Sequence, residues 1–366
     1  MRIKVAVPLT ALLTTAVLMA AAASVSFAAA SVGPVFLQEM TMTTDIIEKP
    51  LTIEANGTRI PAVLSLPKSG KAEWAVVIVP GSFANDVDGN ILAEMGNPFV
   101  SKPHTNKDLA RRLAQDGVAA LRYARGGVTV VDKEISAAHR HFVDRTTVVA
   151  EAVRLVRSTV PGIKWSALAG HSEGGPVALL LLSRDPAVKV DAYISLSAPA
   201  RRIFDIMLQQ VEKSMKDGVV TMGPMKIPYS DYKQAMDLVR KGQPVPPDLL
   251  KRLPPFGVHA MDEASKQYLR EYDAVDSVDL IAHLTRPVLI VQGGEDTSVY
   301  PDNADLLLAA RKGNPAPTEK AFFPSLQHFY KKVTPGLEPM AAFNLETESD
   351  PCVADAIAAW LVKIAK

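Results

Sequence analysis

The chain has 366 residues, of which 48% are hydrophobic and 22% are charged, so it is too apolar to be disordered and too mixed in composition to be fibrous. Its 40 basic and 39 acidic side chains nearly cancel, which leaves no general electrostatic case for binding nucleic acid. A chain of this length buries a sizeable core and forms either one large domain with an insertion or two domains.

The first thirty residues have the pattern of a secretory signal peptide. Arg2 and Lys4 precede an uncharged run over residues 5–23, and small residues follow it. We expect cleavage after Ala28 or after Ala30, and the sequence does not separate these two sites. The prediction is a signal peptide over residues 1–30 and a mature protein that is exported to the periplasm or the medium, without stable membrane insertion.

A membrane anchor is the alternative for this segment. The apolar run is nearly long enough to span a bilayer. Pro8 and the many Ala and Thr residues make it only weakly hydrophobic, so we favour a cleaved signal peptide. The single cysteine, Cys352, excludes an internal disulfide, and the exported protein must therefore be stabilised by its core.

Beyond residue 45, strand and helix patterns alternate, which is typical of a mostly parallel sheet covered by helices. Segments 51–55 and 59–66 flank Asn56-Gly57, a dipeptide that favours a type I′ hairpin turn. Short apolar runs predict six further strands, about eight in all, at 74–79, 118–123, 164–169, 192–196, 288–292 and 320–323. Helical patterns lie at 107–115, 145–158, 174–184, 302–311 and 353–365.

The strand patterns stop between about residues 200 and 284. Amphipathic helical patterns replace them at 202–216, 230–241 and 262–272, separated by proline-rich breaks. We interpret this segment as a helical cap, and not a new sheet, inserted into one domain that covers residues 31–366.

The most specific motif is Gly-His-Ser-Glu-Gly at 170–174, which follows one predicted strand and opens one predicted helix. Strand, Gly-x-Ser-x-Gly and helix in this order are typical of a nucleophile elbow, which lifts a serine hydroxyl clear of the sheet. The motif makes Ser172 the candidate nucleophile.

A serine hydroxyl needs a histidine base, and the base needs an acid that orients it. The predicted strand 288–292 runs into Gly-Gly-Glu-Asp, which places Asp296 in the loop at the carboxyl end of that strand, with Glu295 as its competitor. The predicted strand 320–323 is followed by a loop that contains His328. Ser172, Asp296 and His328 stand in the chain order expected for such a triad.

The developing oxyanion of acyl transfer requires hydrogen-bond donors. We expect the backbone N–H groups of Glu173, which follows the nucleophile, and of Ser82, in the loop after the predicted strand 74–79. His139 and His141 are one residue apart, but no cluster of cysteines or carboxylates with ligand spacing accompanies them, so no metal site is predicted.

With these motifs the chain resembles the α/β-hydrolase superfamily from about residue 48 to its carboxyl end, and within it the exported bacterial serine hydrolases of the esterase and serine aminopeptidase branch. Two loops depart from the usual pattern. Phe83 and Ala84 replace a glycine and a proline after Ser82, and in the loop after the predicted strand 118–123 Ala124 replaces an acid and Arg125 is shifted.

The resemblance implies an α/β-hydrolase fold and hydrolysis of small-molecule acyl substrates through an acyl-enzyme, without cofactor or metal. Carboxylic ester hydrolysis is the expected activity. The first alternative is a serine aminopeptidase or amidase, in which Glu173, Asp86 and Asp88 recognise a cationic amino terminus. The second is a noncatalytic ligand-binding member of the fold.

Overall fold

The computed structural model describes residues 42–43, 45–92, 100–125, 140–215, 218–222, 225–253, 258, 261–334, 337 and 339–365. The segment 1–30 that we predict as a signal peptide lies outside these residues, and so does His139. The strands in chain order are β1 (Met42–Thr43), β2 (Ile46–Ala55), β3 (Thr58–Pro67), β4 (Trp74–Val79), β5 (Ala119–Tyr123), β6 (Trp165–His171), β7 (Ala192–Leu196), β8 (Val219–Met222), β9 (Met225–Pro228), β10 (Val288–Gly293) and β11 (Thr318–Phe323).

Nine of these strands form one open sheet in the order β1-β2-β3-β5-β4-β6-β7-β10-β11. The pairs among β1, β2, β3 and β5 are antiparallel, and all later pairs are parallel. The predicted hairpin is present: Ala55 pairs with Thr58, and Asn56 and Gly57 have φ angles of 49° and 73°, as a type I′ turn requires. The predicted mostly parallel α/β sheet is confirmed, with the two-residue β1 as an unpredicted addition.

Helices cover both faces of the sheet. In chain order they are α1 (Thr105–Gln115), α2 (Asp144–Thr159), α3 (Gly174–Arg184), α4 (Ile203–Ser214), α5 (Tyr229–Arg240), α6 (Pro247–Leu250), α7 (Glu263–Asp273), α8 (Ser277–Ala282), α9 (Asp302–Ala310), α10 (Pro339–Phe343) and α11 (Cys352–Ile364). Successive side chains of a strand point to opposite faces. Val77 of β4 accordingly packs in the core that contains helices α2 and α3, whereas Val76 packs in the core that contains α1 and α11.

Among the described residues between β7 and β10, where the sequence predicts an inserted helical segment, there are five helices, α4 to α8. The expectation that this segment is free of strands is wrong, because β8 and β9 pair as an antiparallel hairpin. The run Val219-Val220-Thr221 is β-branched, and Gly223-Pro224 separates it from Met225. β-Branched residues favour strands, and a Gly-Pro dipeptide marks a turn, so the local sequence accounts for the hairpin.

Candidate active site

Ser172 occupies the sharp turn between β6 and α3. Its φ angle is 51°, a left-handed conformation that non-glycine residues adopt rarely and mostly at functional sites. A Cβ atom on Gly170 would lie 2.5 Å from the Cα of Gly175, and one on Gly174 would lie 2.2 Å from the carbonyl oxygen of Val79. Only glycine fits at either position, so the motif's two glycines make the tight approach of strand and helix possible.

Asp296 and His328 come together at the carboxyl ends of β10 and β11. The Nδ1 atom of His328 lies 2.8 Å from Oδ2 of Asp296, and both side chains are buried. The other carboxylate oxygen of Asp296 accepts hydrogen bonds from the amides of Ser298 and Val299, at 2.9 and 2.8 Å. Its competitor Glu295 is exposed. The structure therefore places Asp296, and not Glu295, against the imidazole.

Ser172 and His328 line the same cavity. Among the described residues, no hydrogen bond joins the Ser172 hydroxyl to the His328 imidazole, whose Nδ1 atom contacts Asp296. Such a hydrogen bond is often absent without substrate and forms when substrate binds. The structure thus brings the three predicted residues to one place, with the Asp296–His328 contact formed.

His171 supports the loop that carries His328. Its Nε2–H donates a hydrogen bond to the backbone carbonyl of His328 at 3.0 Å, and the centres of the two rings lie 4.8 Å apart. Burial, together with repulsion from a charge on His328, lowers the pKa of His171 to about 3. His171 is therefore a neutral donor that holds its neighbour, and it carries no charge of its own into the site.

The two predicted oxyanion donors flank the serine. A Cβ atom on Gly81 would lie 3.1 Å from the Cβ of Ser172, which shows how closely the loop after β4 approaches the elbow. Ser82 follows directly, and its side chain donates a hydrogen bond to Glu173 Oε2 at 2.8 Å. Among the residues that the structure describes, no backbone carbonyl accepts a hydrogen bond from the N–H of Ser82 or of Glu173.

The side chain of Glu173 has a different environment from the one the sequence suggests. It is 1% exposed and accepts hydrogen bonds from Arg125, Arg145 and the hydroxyl of Tyr268, with the Tyr268 contact at 2.5 Å. Burial alone raises the pKa of this carboxyl. The two guanidinium groups, with the hydroxyls of Tyr268 and Ser82, outweigh burial and hold the pKa below its usual value. Glu173 is thus a buried, charged and fully paired carboxylate.

The loop acids expected to recognise a cation are also paired. Asp86 accepts hydrogen bonds from the amides of Asp88 and Asn90, at 2.9 and 3.0 Å. Asp88 forms ion pairs with Arg122 and Lys107 at 3.2 and 3.5 Å. Together with the pairing of Glu173, these contacts leave each of the three acids engaged within the protein, so none of them supports recognition of an amino terminus.

The cavity in front of Ser172 has a volume of about 80 Å³. Helices α4 and α7 contribute Ile203, Ile206 and Tyr272 to its lining, so the inserted segment covers part of it. No Asp, Glu, Lys or Arg is found among the described lining residues.

Neither a metal site nor a membrane span is found in the described ranges. No group of three His, Cys, Asp or Glu side chains there has an arrangement that could hold a metal ion. His141, one half of the histidine pair in the sequence, instead lies 2.8 Å from Glu271 through its Nδ1 atom. No helix in these ranges has the length and apolar character needed to cross a bilayer.

Known proteins similar to the chain were found, although no protein-family model matches it. The chain is similar to esterase EstD of Thermotoga maritima, with 24% identity over 319 residues that cover 86% of this chain and 68% of the relative. It is also similar to the structure of Est1E from Butyrivibrio proteoclasticus with bound ferulic acid, with a TM-score of 0.51 and 17% identity, covering 86% of this chain and all of the other.

A further solved structure, assigned as dipeptidyl aminopeptidase IV from Bacteroides ovatus, has a TM-score of 0.51 and 13% identity, and the match covers 87% of this chain and 36% of the other. At these identities the two structures establish the fold alone. By its sheet, its elbow at Ser172 and these similarities, the chain has the α/β-hydrolase fold.

Proposed function

We propose that the chain is a serine hydrolase that cleaves carboxylic esters through an acyl-enzyme on Ser172. The observation that carries this proposal is the buried contact between Asp296 and His328, at 2.8 Å. His328 lines the same cavity as Ser172. A neutral imidazole whose Nδ1–H donates to a carboxylate has Nε2 free to accept a proton. That is the protonation state a general base requires.

Two half-reactions follow from this arrangement. His328 Nε2 takes the hydroxyl proton while Ser172 Oγ attacks the ester carbonyl carbon, and the N–H groups of Ser82 and Glu173 stabilise the resulting oxyanion. The carbon–oxygen bond to the alcohol then breaks, and the alcohol leaves with the proton from His328. Water, deprotonated by His328, attacks the acyl-enzyme, and the carboxylic acid is released as Ser172 regains its proton.

The pairing of the acidic side chains near Ser172 favours ester hydrolysis over aminopeptidase activity. An aminopeptidase must bind a cationic amino terminus, which calls for an unpaired carboxylate in the cavity. The described lining residues include none, and Glu173, the acid next to the nucleophile, is paired with two arginines. The curated relative is named as an esterase, which supports the same choice.

Hydrolysis of p-nitrophenyl esters from acetate to decanoate tests this function, using the protein beside Ser172→Ala and His328→Ala. A fluorophosphonate probe supplies the second readout, with Ser158→Ala as control because that serine is exposed on α2. We expect hydrolysis and labelling in the unmodified protein and in the control, and loss of both in Ser172→Ala. A folded protein that neither hydrolyses nor labels would identify a noncatalytic binder. Faster cleavage of aminoacyl arylamides than of matched esters would identify an aminopeptidase.

The domain organisation and localisation belong to the same proposal. We propose one α/β-hydrolase domain over residues 31–366, in which segment 200–284 caps the cavity, and a leader over residues 1–30 that directs export to the periplasm or the medium. Cavity-lining residues on α4 and α7 support the capping role. Mass spectrometry of the protein recovered outside the cytoplasm should give an amino terminus at Ala29 or Ser31. An intact Met1 in that fraction would identify the segment as a membrane anchor, and protein confined to the cytoplasm would contradict export.

A further inference from the structure

A small apolar cluster, separate from the two cores of the sheet, faces the cavity. It consists of Phe83, Ile91, Phe329 and Phe343, which are 4% to 9% exposed, and all four line the cavity. We refer to these four residues as the aromatic wall. All four residues are thus almost completely buried and border the cavity that also contains Ser172.

Phe83 holds an unusual backbone conformation within this wall. Its φ angle is 67°, which is a strained conformation for a bulky side chain and is unstrained for glycine. The surrounding contacts enforce it: Arg125 donates a side-chain hydrogen bond to the Phe83 carbonyl, and the backbones of Asn85 and Arg125 exchange hydrogen bonds at 2.8 and 3.0 Å. Strain that is held in place beside a reactive serine points to a use for the side chain in the site.

Two residues of the wall are sequence neighbours of candidate catalytic residues. Phe83 follows the oxyanion donor Ser82, and Phe329 follows the base His328, whose ring centre is 5.3 Å from that of Phe329 at an angle of 67°. The rings of Phe329 and Phe343 are 4.8 Å apart at 62°. Edge-to-face pairs of this kind are the arrangement in which aromatic rings pack favourably with one another, and a further ring can join them in the same way.

We propose, on the basis of the proposed function, that the aromatic wall selects uncharged esters with an aromatic ring within one or two carbons of the ester group, and that Phe83 is the residue that determines this preference. The cavity volume of about 80 Å³ is several times the roughly 10–15 Å³ that holds a single water by this measure, so the space beside the wall takes a group larger than one water. The ring belongs to the acyl part or to the alcohol part, and the experiment separates the two.

Two matched ester pairs test the proposal by titration of the released acid. Ethyl 3-phenylpropionate against ethyl hexanoate examines the acyl part, and benzyl acetate against hexyl acetate examines the alcohol part. Phe83→Gly removes the ring and relieves the strained φ, and Phe343→Leu removes a ring but keeps an apolar side chain. Phe322→Ala is the control, because Phe322 is 45% exposed on β11 and does not line the cavity.

In at least one pair we expect the aryl-to-alkyl ratio of kcat/KM to fall roughly ten-fold in Phe83→Gly and to fall in Phe343→Leu, which is the scale of one lost aromatic contact. The control should keep the ratio of the unmodified protein. Unchanged ratios in both wall variants, with ester hydrolysis intact, would overturn the role of the wall and leave the proposed function standing. Absence of ester hydrolysis in the unmodified protein would overturn both.

Discussion

Replacing Glu173 by glutamine should strongly destabilise the folded protein. The carboxylate is 1% exposed, and its ion-pair partners Arg125 and Arg145 are each 2% exposed. Glutamine has nearly the same shape, and its amide oxygen still accepts a hydrogen bond from Tyr268. The substitution therefore removes one charge and leaves two buried guanidinium groups without their carboxylate partner.

Breaking a buried ion pair on one side costs roughly 3–5 kcal/mol, because the remaining charge stays desolvated. Glu54→Gln provides the matched control, since the Glu54–Arg59 pair is 3.9 Å long and both side chains are more than three-quarters exposed, at 78% and 77%. An exposed pair of this kind contributes less than about 1 kcal/mol. The two substitutions are chemically identical and differ only in burial and in the number of partners.

Urea denaturation followed by tryptophan fluorescence measures both free energies of unfolding. The pH dependence adds a second check. Because the folded-state pKa of Glu173 lies below its ordinary value of 4.5, its stabilisation is fully present above that pH and is lost as the pH falls through the folded pKa. The difference in free energy of unfolding between the unmodified protein and Glu173→Gln should be constant from about pH 8 to about pH 5. It should become smaller below pH 4.5. A gap under about 1 kcal/mol at neutral pH would refute the ion-pair reasoning.

Three further outcomes can be measured. Asp296→Asn should lower kcat roughly 10³- to 10⁴-fold by disturbing the tautomer of the imidazole, whereas Glu295→Gln should leave kcat within about two-fold, and similar losses in both would contradict the assignment of the acid. Phe83→Gly should be more stable than Phe83→Ala by about 1 kcal/mol in thermal unfolding, the reverse of the usual order, because only glycine relaxes at a φ of 67°. Burial and the neighbouring Asp350 raise the pKa of the Cys352 thiol to about 12. Iodoacetamide at pH 8 should therefore modify Cys352 at least about ten-fold more slowly than free cysteine. Equal rates of modification would contradict the raised pKa.

The fold could be predicted because its signals are local. Buried parallel strands are short apolar runs, and Asn56-Gly57 identifies the hairpin turn, so the eight long strands of the sheet follow from neighbouring residues alone. The β8–β9 hairpin carries the same kind of signal in Val219-Val220-Thr221. Helical patterns precede and follow this short run, so the whole inserted segment was predicted to be helical.

The positions of the candidate site residues could be predicted to the extent that these residues lie at strand ends. Ser172, Asp296 and His328 follow β6, β10 and β11, and the carboxyl ends of parallel strands meet at one edge of the sheet. Sequence alone left Glu295 and Asp296 as competitors. Burial separates them, because the loop after β10 turns one side chain to solvent and the next towards the imidazole, and this turn has no simple sequence pattern.

The environment of Glu173 could not be predicted because its partners are distant in the chain. Arg145, Arg125 and Tyr268 lie 28, 48 and 95 residues away, on α2, on the loop after β5 and on α7. The sequence offered one signal, the shifted Arg125 in a loop that the family usually builds differently. The sequence suggests that Glu173 is free to bind substrate because it is next to Ser172. The structure shows instead that its carboxylate is bound by side chains of the protein itself.

This pairing connects the inserted segment to the chemistry of the site. The hydroxyl of Tyr268, on α7, donates to the carboxylate of Glu173, and the backbone N–H of Glu173 is one of the two candidate oxyanion donors. The other donor belongs to Ser82, whose hydroxyl binds the same carboxylate. A substitution that moves α7 would therefore shift the Glu173 side chain and, through it, both candidate oxyanion donors. Substitutions in the inserted segment should for this reason affect kcat as well as KM, even at positions that do not line the cavity.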